Sequence, residues 1–143
     1  MELKRLDHVN FITHDLVKTV DFYCNIIGLT YDKNISLETA KSLHLFIPGQ
    51  NVAVLHIGDA GNKKKGPKYE RFADLDKNNQ GKFSTGAFDH FCFALADQYY
   101  VPFIDKLEKS NVEYQTYCHD DIALKQIWLL DPNGVRVELN FAD

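Results

Sequence analysis

An α+β fold of two tandem βαβββ modules is the architecture that this 143-residue sequence predicts. Three observations carry it. Asp-His occurs twice inside strand-like apolar runs, in LDHVNFI (6–12) and FDHFCFA (88–94). One strand, one helix and three strands can be read in that order twice along the chain. The two readings also keep one register. His90 follows His8 by 82 residues and Asp97 follows Asp15 by 82, while His56 and Glu138 each lie 48 residues after the histidine of their own half. A duplicated unit without gaps gives such spacing, and histidines scattered through a core do not.

The elements follow in order. Residues 6–12 alternate as a strand does. Asp15 is placed to N-cap LVKTVDFYCNII, where Leu16, Val20, Tyr23 and Ile27 fall on one helical face, and Gly28 closes that helix. Strands are expected around Leu29–Lys33, Leu43–Ile47 and Val52–Ile57, with a turn at Pro48-Gly49-Gln50-Asn51 between the last two. In the second half Phe88–Leu95 reads as a strand and Asp97 as an N-cap. The helix that follows carries Pro102 early, where a missing N–H does least harm, and takes Val101, Ile104 and Leu107 as its apolar face. Val112–Tyr117, Leu124–Leu130 and Val135–Phe141 complete the set. The chain is thus expected to be one domain, 1–143, with modules at 4–58 and 86–143. Residues 59–85 form a linker rich in Lys, Gly and Asn, with an apolar interruption at Tyr69 and Phe72. A connection of that length is usually functional or disordered.

Composition removes several function classes. A formal net charge of -4 argues against a phosphate-tracking nucleic-acid binder. Lys63-Lys64-Lys65 is soon followed by Glu70, Asp74 and Asp76 and reads as a solvated loop. No apolar run approaches the roughly 20 residues of a membrane span. The N-terminus lacks the apolar core of a secretory signal, and Cys24, Cys92 and Cys118 show no CxxC spacing, so free thiols in a reducing cytoplasm are expected. Nucleotide-binding glycine motifs are absent, and Ser84 and Thr85 lack the GxSxG context of a serine hydrolase. His14 and His119 are read as loop residues and His44 as a strand residue, none with a counterpart in the repeat.

The chemistry lies in the matched positions. His8, His56, His90 and Glu138 offer three imidazoles and one carboxylate, a set suited to Zn, Ni, Co, Fe or Mn and poor for Ca or Mg. By strand alternation His8 shares a face with Asn10, and Glu138 with Arg136 and Asn140, while Val9, Phe11, Val137 and Leu139 pack on the other face. Two pseudo-symmetric sheets facing one another would gather the four. The alternative is three satisfied structural histidines and an exposed glutamate. Asp131-Pro132-Asn133-Gly134 suits a type I turn with a Gly bulge, which pairs Asp131 with Val135 and sets Trp128 opposite Glu138, with Gln126 on the same face. Without the bulge Ile127 and Lys125 would take that face. Trp128 would then wall a substrate site and Gln126 supply a polar handle, unless Trp128 is plain core.

DHVNF, VDFYCNIIGL, FDHFCFAL and DPNGVRVEL resemble the vicinal oxygen chelate superfamily, which includes glyoxalase I, fosfomycin- and bleomycin-resistance proteins and extradiol dioxygenases. The resemblance implies paired βαβββ modules in a cupped mixed sheet, as in the glyoxalase/bleomycin resistance/dihydroxybiphenyl dioxygenase fold, holding one divalent transition metal. Carried over by position, the ligands are His8, His56, His90 and Glu138, with Glu138 also catalytic; Asn10, by its place on the His8 face, and Gln126 and Trp128, by the hairpin register, are expected on the substrate side. It implies a lyase or isomerase of the glyoxalase I type, in which the metal holds neighbouring oxygens of a small substrate while Glu138 moves a proton between adjacent carbons. It also implies a homodimer, with His8 and His56 of one chain meeting His90 and Glu138 of another. One position departs: glyoxalase I usually has a carboxylate where this chain has His56. Two His and one Glu from the set equally suit the facial triad of an Fe(II) dioxygenase. A third implied function is a bleomycin-resistance-like protein that sequesters an aromatic drug without turnover.

Overall fold

In the computed structural model residues 5–59 and 88–143 are described. Nearly all of the expected linker, with the Lys63–Lys65 cluster, Tyr69, Phe72, Ser84 and Thr85, lies outside them. The chain divides into two compact units, Met1–Gly81 and Lys82–Asp143.

The first unit opens with β1 (Val9–Thr13) and α1 (Leu16–Asp21), which continues as a π-helical turn over Phe22–Ile27. Asp15 caps α1 as expected, its side chain accepting the Lys18 N–H at 2.9 Å. Behind the cap, Thr13 and Thr19 meet hydroxyl to hydroxyl at 2.8 Å, which satisfies two buried polar groups at the strand–helix junction. The π turn ends at Gly28, whose φ of 99° is left-handed. Leu16, Val20, Phe22 and Tyr23 are buried with Leu29, Leu43, Leu45, Leu55 and Ile57.

β2 (Ser42–Phe46) and β3 (Ala53–Asp59) are joined through Pro48 and Gly49, where Gln50 N–H donates to Ile47 O at 3.0 Å and Gly49 has φ 82°, a type II turn. The sheet order is β1-β3-β2, with β1 parallel to β3 and β2 antiparallel to it. The strand expected at Leu29–Lys33 shrinks to a single antiparallel bridge between Thr30 and Phe46. Its cause is local. Asp32 Oδ1 accepts the Asn34 N–H at 2.9 Å, a turn that takes the backbone out of the ladder two residues on.

The second unit runs β4 (His90–Leu95), a 3-10 turn at Asp97–Tyr99, α2 (Tyr100–Lys109), β5 (Tyr114–His119), a 3-10 turn at Asp120–Ile122, β6 (Leu124–Leu130) and β7 (Arg136–Phe141). Its sheet order is β4-β7-β6-β5, with β4 parallel to β7. Three expectations need correction here. Asp97 does not cap the helix; its carboxylate holds Lys125 Nζ at 2.8 and 2.9 Å. The apolar stripe of α2 starts at Tyr100 rather than Val101. Phe103 and Leu107 are buried and Val101 is 63% exposed, because Tyr100 and Phe103 set their rings on Phe141, at 5.3 and 6.0 Å. His119 ends β5 rather than lying in a loop.

The β6–β7 hairpin forms with the expected bulge. Asp131 N–H donates to Val135 O at 2.9 Å, and Gly134 takes φ 80°. Asp131 also accepts the N–H groups of Asn133 and Val135, each at 2.8 Å, so this buried carboxylate builds the turn around itself. The register puts Trp128 opposite Glu138 and Gln126 opposite Asn140. Ile127, Leu129, Val137, Leu139 and Phe141 therefore line one buried face of the sheet, and the opposite face carries the polar residues. No helix among the described residues is long and apolar enough to cross a membrane.

Candidate functional site

In the second unit β4 and β7 bring His90 and Glu138 together: His90 Nε2 lies 2.7 Å from Glu138 Oε2. The parallel ladder sets His90 against Arg136 and Cys92 against Glu138, so the imidazole leans along the sheet to reach the carboxylate. Glu138 is only 6% exposed. Its second oxygen, Oε1, accepts from Gln126 Nε2, which also donates to Asn140 Oδ1 at 2.9 Å. Gln126 therefore spends its amide hydrogens on β7. Trp128 stands edge-on to His90 at 4.7 Å and borders a cleft of about 750 Å³ with Gln115, Glu113, Leu130 and Arg136.

The other side of His90 is also engaged. Asp89 Oδ2 lies 2.7 Å from His90 Nδ1, and Arg136 Nη1 donates to both Asp89 oxygens at 3.1 Å. The hydrogen bond from His90, aided by the Arg136 guanidinium, holds the Asp89 carboxyl below its ordinary range. Across the strand the thiol of Cys92 behaves oppositely. Desolvation at a partly open position, reinforced by the Glu138 carboxylate, pushes it up to about 11.

The first unit repeats the dyad. Asp7 Oδ2 lies 2.8 Å from His8 Nδ1, and that bond, with Arg5 nearby, lowers the Asp7 carboxyl. The His8 ring stacks on His56 with centroids 3.8 Å apart, and His56 stacks in turn on His44 at 4.0 Å. His44 faces His56 directly in the β2–β3 ladder, and the exposed Asn10 faces it in the β1–β3 ladder. Each unit thus gathers its own pair of expected ligands, His8 with His56 and His90 with Glu138. Among the described residues no group of three or more His, Cys, Asp or Glu side chains is arranged to hold a metal ion. Sequence reasoning missed the roles of Asp7, Asp89 and His44. The repeated Asp-His dipeptide was the available signal for the first two; His44 gave none, because its partner is set by cross-strand register.

The model of the Glyoxalase/Bleomycin resistance protein/Dioxygenase superfamily matches residues 5–139. No curated protein matches the chain. Among solved structures, the fosfomycin resistance protein FosX from Listeria monocytogenes aligns with a TM-score of 0.69 at 17% identity, covering 99% of this chain and 96% of that one. A lactoylglutathione lyase from Agrobacterium tumefaciens gives 0.66 at 15% identity, covering 98% and 95%. An integron cassette protein from the mobile metagenome of a Halifax Harbour sewage outfall gives 0.65 at 17%, covering 97% and 99%. A FosX variant complexed with Mn(II) and 1S,2S-dihydroxypropylphosphonic acid gives 0.64 at 16%, covering 96% and 90%. At these identities the likeness is one of fold.

Proposed function

This chain belongs to the Glyoxalase/Bleomycin resistance protein/Dioxygenase superfamily, and from that premise we propose that it is a divalent-metal-dependent lyase or isomerase of the glyoxalase I type. His8, His56, His90 and Glu138 are assigned to the metal, and Glu138 to proton transfer on a small substrate with vicinal oxygens. The observation that supports this reading most is the His90–Glu138 pair. The far ends of both groups are already engaged, by Asp89 and Gln126, so Nε2 and Oε2 are the atoms turned toward one another at 2.7 Å. Two donors bound side by side to one metal at about 2.1 Å stand roughly 3 Å apart, so the pair need open by only a few tenths of an ångström. Imidazole and carboxylate together fit Zn, Ni, Co, Fe or Mn.

When bound, the metal supplies Lewis acidity to the substrate oxygens. The remaining work falls to the chain. Glu138, held away from water, takes a proton from one carbon and returns it to the neighbouring one. Trp128 walls the substrate against the cleft; Asn10 and the Gln126 carbonyl oxygen, left over once its amide hydrogens are engaged, orient it. The protein is placed in the cytoplasm with its three thiols free, as a homodimer.

Metal analysis tests the ligand set: His90→Ala loses most of its metal and His14→Ala retains it, and equal occupancy in the two would remove the assignment. Mixing His8→Ala with Glu138→Ala protein tests the dimer, since re-formed heterodimers recover one metal site if ligands are shared between chains. The reaction is tested by solvent deuterium exchange into α-hydroxycarbonyl adducts, measured beside oxygen uptake with catechols. Exchange that falls by at least about 100-fold in Glu138→Gln is the expected result. A second reading, an Fe(II) dioxygenase, draws on His56, which leaves Glu138 as the lone carboxylate of the four. Oxygen uptake without exchange selects it, and aromatic-drug binding with neither activity selects sequestration.

A further inference from the structure

Both modules carry the same small device at the strand entrance. Asp7 sits 2.8 Å from Nδ1 of His8 and Asp89 sits 2.7 Å from Nδ1 of His90, in each case through Oδ2. The flanking sequences differ, LDHVN against FDHFC, yet the paired atoms are the same. Consecutive side chains within a strand point to opposite faces and could not meet in this way. The dyads form because β1 starts at Val9 and β4 at His90, so each aspartate lies ahead of the pleat and can wrap around the ring edge.

Resting on the metal reading above, we propose that Asp7 and Asp89 are positioning residues that fix the Nδ1–H tautomer of His8 and His90 and so commit Nε2 of each ring to the metal. An ionised carboxylate only accepts, so the nitrogen facing it is a donor: at His8 this leaves the lone pair on Nε2, and at His90, where Nε2 also faces Glu138 Oε2 at 2.7 Å, it makes Nε2 the nitrogen that gives up its proton when a metal enters between the two. The same contact fixes ring orientation and raises ligand basicity, a general property of carboxylate–histidine–metal chains. The two devices are not equally braced. Asp89 is tied across the ladder by both 3.1 Å contacts from Arg136, the residue opposite His90, whereas Asp7 has Arg5 at 3.8 Å. Arg136 is therefore the third member of the second device.

The test uses the full chain, titrated with Zn(II) against a chromophoric chelator, together with imidazole ¹⁵N spectra of the metal-free and Zn-loaded protein. Asp89→Ala, with an unchanged circular dichroism spectrum, is expected to weaken Zn(II) binding 10- to 100-fold and to abolish the Nδ1–H signature of His90. Asp89→Asn keeps an acceptor oxygen and should recover part of both; it stands in if the alanine variant fails to fold. Arg136→Gln should shift both readouts in the same direction by less. Asp89→Ala or Asp89→Asn protein that binds Zn(II) as tightly as wild type, with the His90 tautomer unaltered, overturns the inference while leaving the metal reading intact. Wild-type protein that takes up no Zn(II) overturns the metal reading and this inference with it.

Discussion

Glu138 is a buried carboxylate whose two oxygens are both occupied by donors from neighbouring strands, Gln126 at one and His90 at the other. Removing the Gln126 amide leaves Oε1 without its donor in a site that water reaches poorly, and such groups cost about 1–3 kcal/mol. Gln126→Leu is therefore expected to lower urea stability of the metal-free protein by that order; a variant as stable as wild type would show the contact to be dispensable. Cys92, two residues along the strand from His90, tests the electrostatics of the same spot. With its thiol pushed up to about 11, the thiolate is scarce at pH 8, so alkylation should be slow there and accelerate as pH climbs toward 11. Rapid labelling at pH 8 would contradict the desolvation and carboxylate repulsion assigned to it. At this scale the matched positions of His8, His56, His90 and Glu138 were legible from spacing, and the structure sets His8 against His56 and His90 against Glu138. The grip of Gln126 on Glu138 and the stacking of His44 on His56 were not legible, since each depends on which residues two strands set side by side.

Among the elements, the β6–β7 hairpin was the most readable, because Asp-Pro-Asn-Gly leaves few turns to choose from and Gly134 suits a positive φ. No atom lies within 4 Å of where a Cβ on Gly134 would be, so Gly134→Ala tests backbone strain without a clash. A loss of about 1 kcal/mol is expected from the left-handed conformation, read as a lower urea midpoint with unchanged slope. A neutral substitution would mean that the turn is not strained. The less readable elements share a cause: the deciding group was a side chain acting on backbone or on a distant partner. Asp32 ended the strand expected at Leu29–Lys33 by turning its own backbone. Asp97 left its cap to pair with Lys125, 28 residues away. The stripe of α2 shifted to Tyr100 because Phe141 of β7 offers that ring a partner.

For the whole molecule, the duplication was visible in the sequence before any element was, and it survives in the topology. Both units place their first strand parallel to their last and follow it with antiparallel neighbours: β1-β3-β2 and β4-β7-β6-β5, with the Thr30 bridge standing where β5 stands in the second unit. What sequence reading could not supply is local cause, such as the aspartate at each strand entrance. The parallel pairings have a further consequence, which concerns time. Val9 opposite Leu55 and His90 opposite Arg136 both join residues 46 apart, so each unit must close a long loop before its first strand gains anything. The hairpins β2–β3 and β6–β7 need no such closure and can form in microseconds. Each unit should thus fold from its C-terminal hairpin backwards, with the first strand, and the histidine at its entrance, docking last. Chevron kinetics read this directly: Ile127→Val in β6 should slow refolding, whereas Phe91→Leu in β4 should chiefly hasten unfolding. During synthesis β1 would then wait for β3 to emerge, so the Asp-His dipeptide that opens each module is written first and seated last.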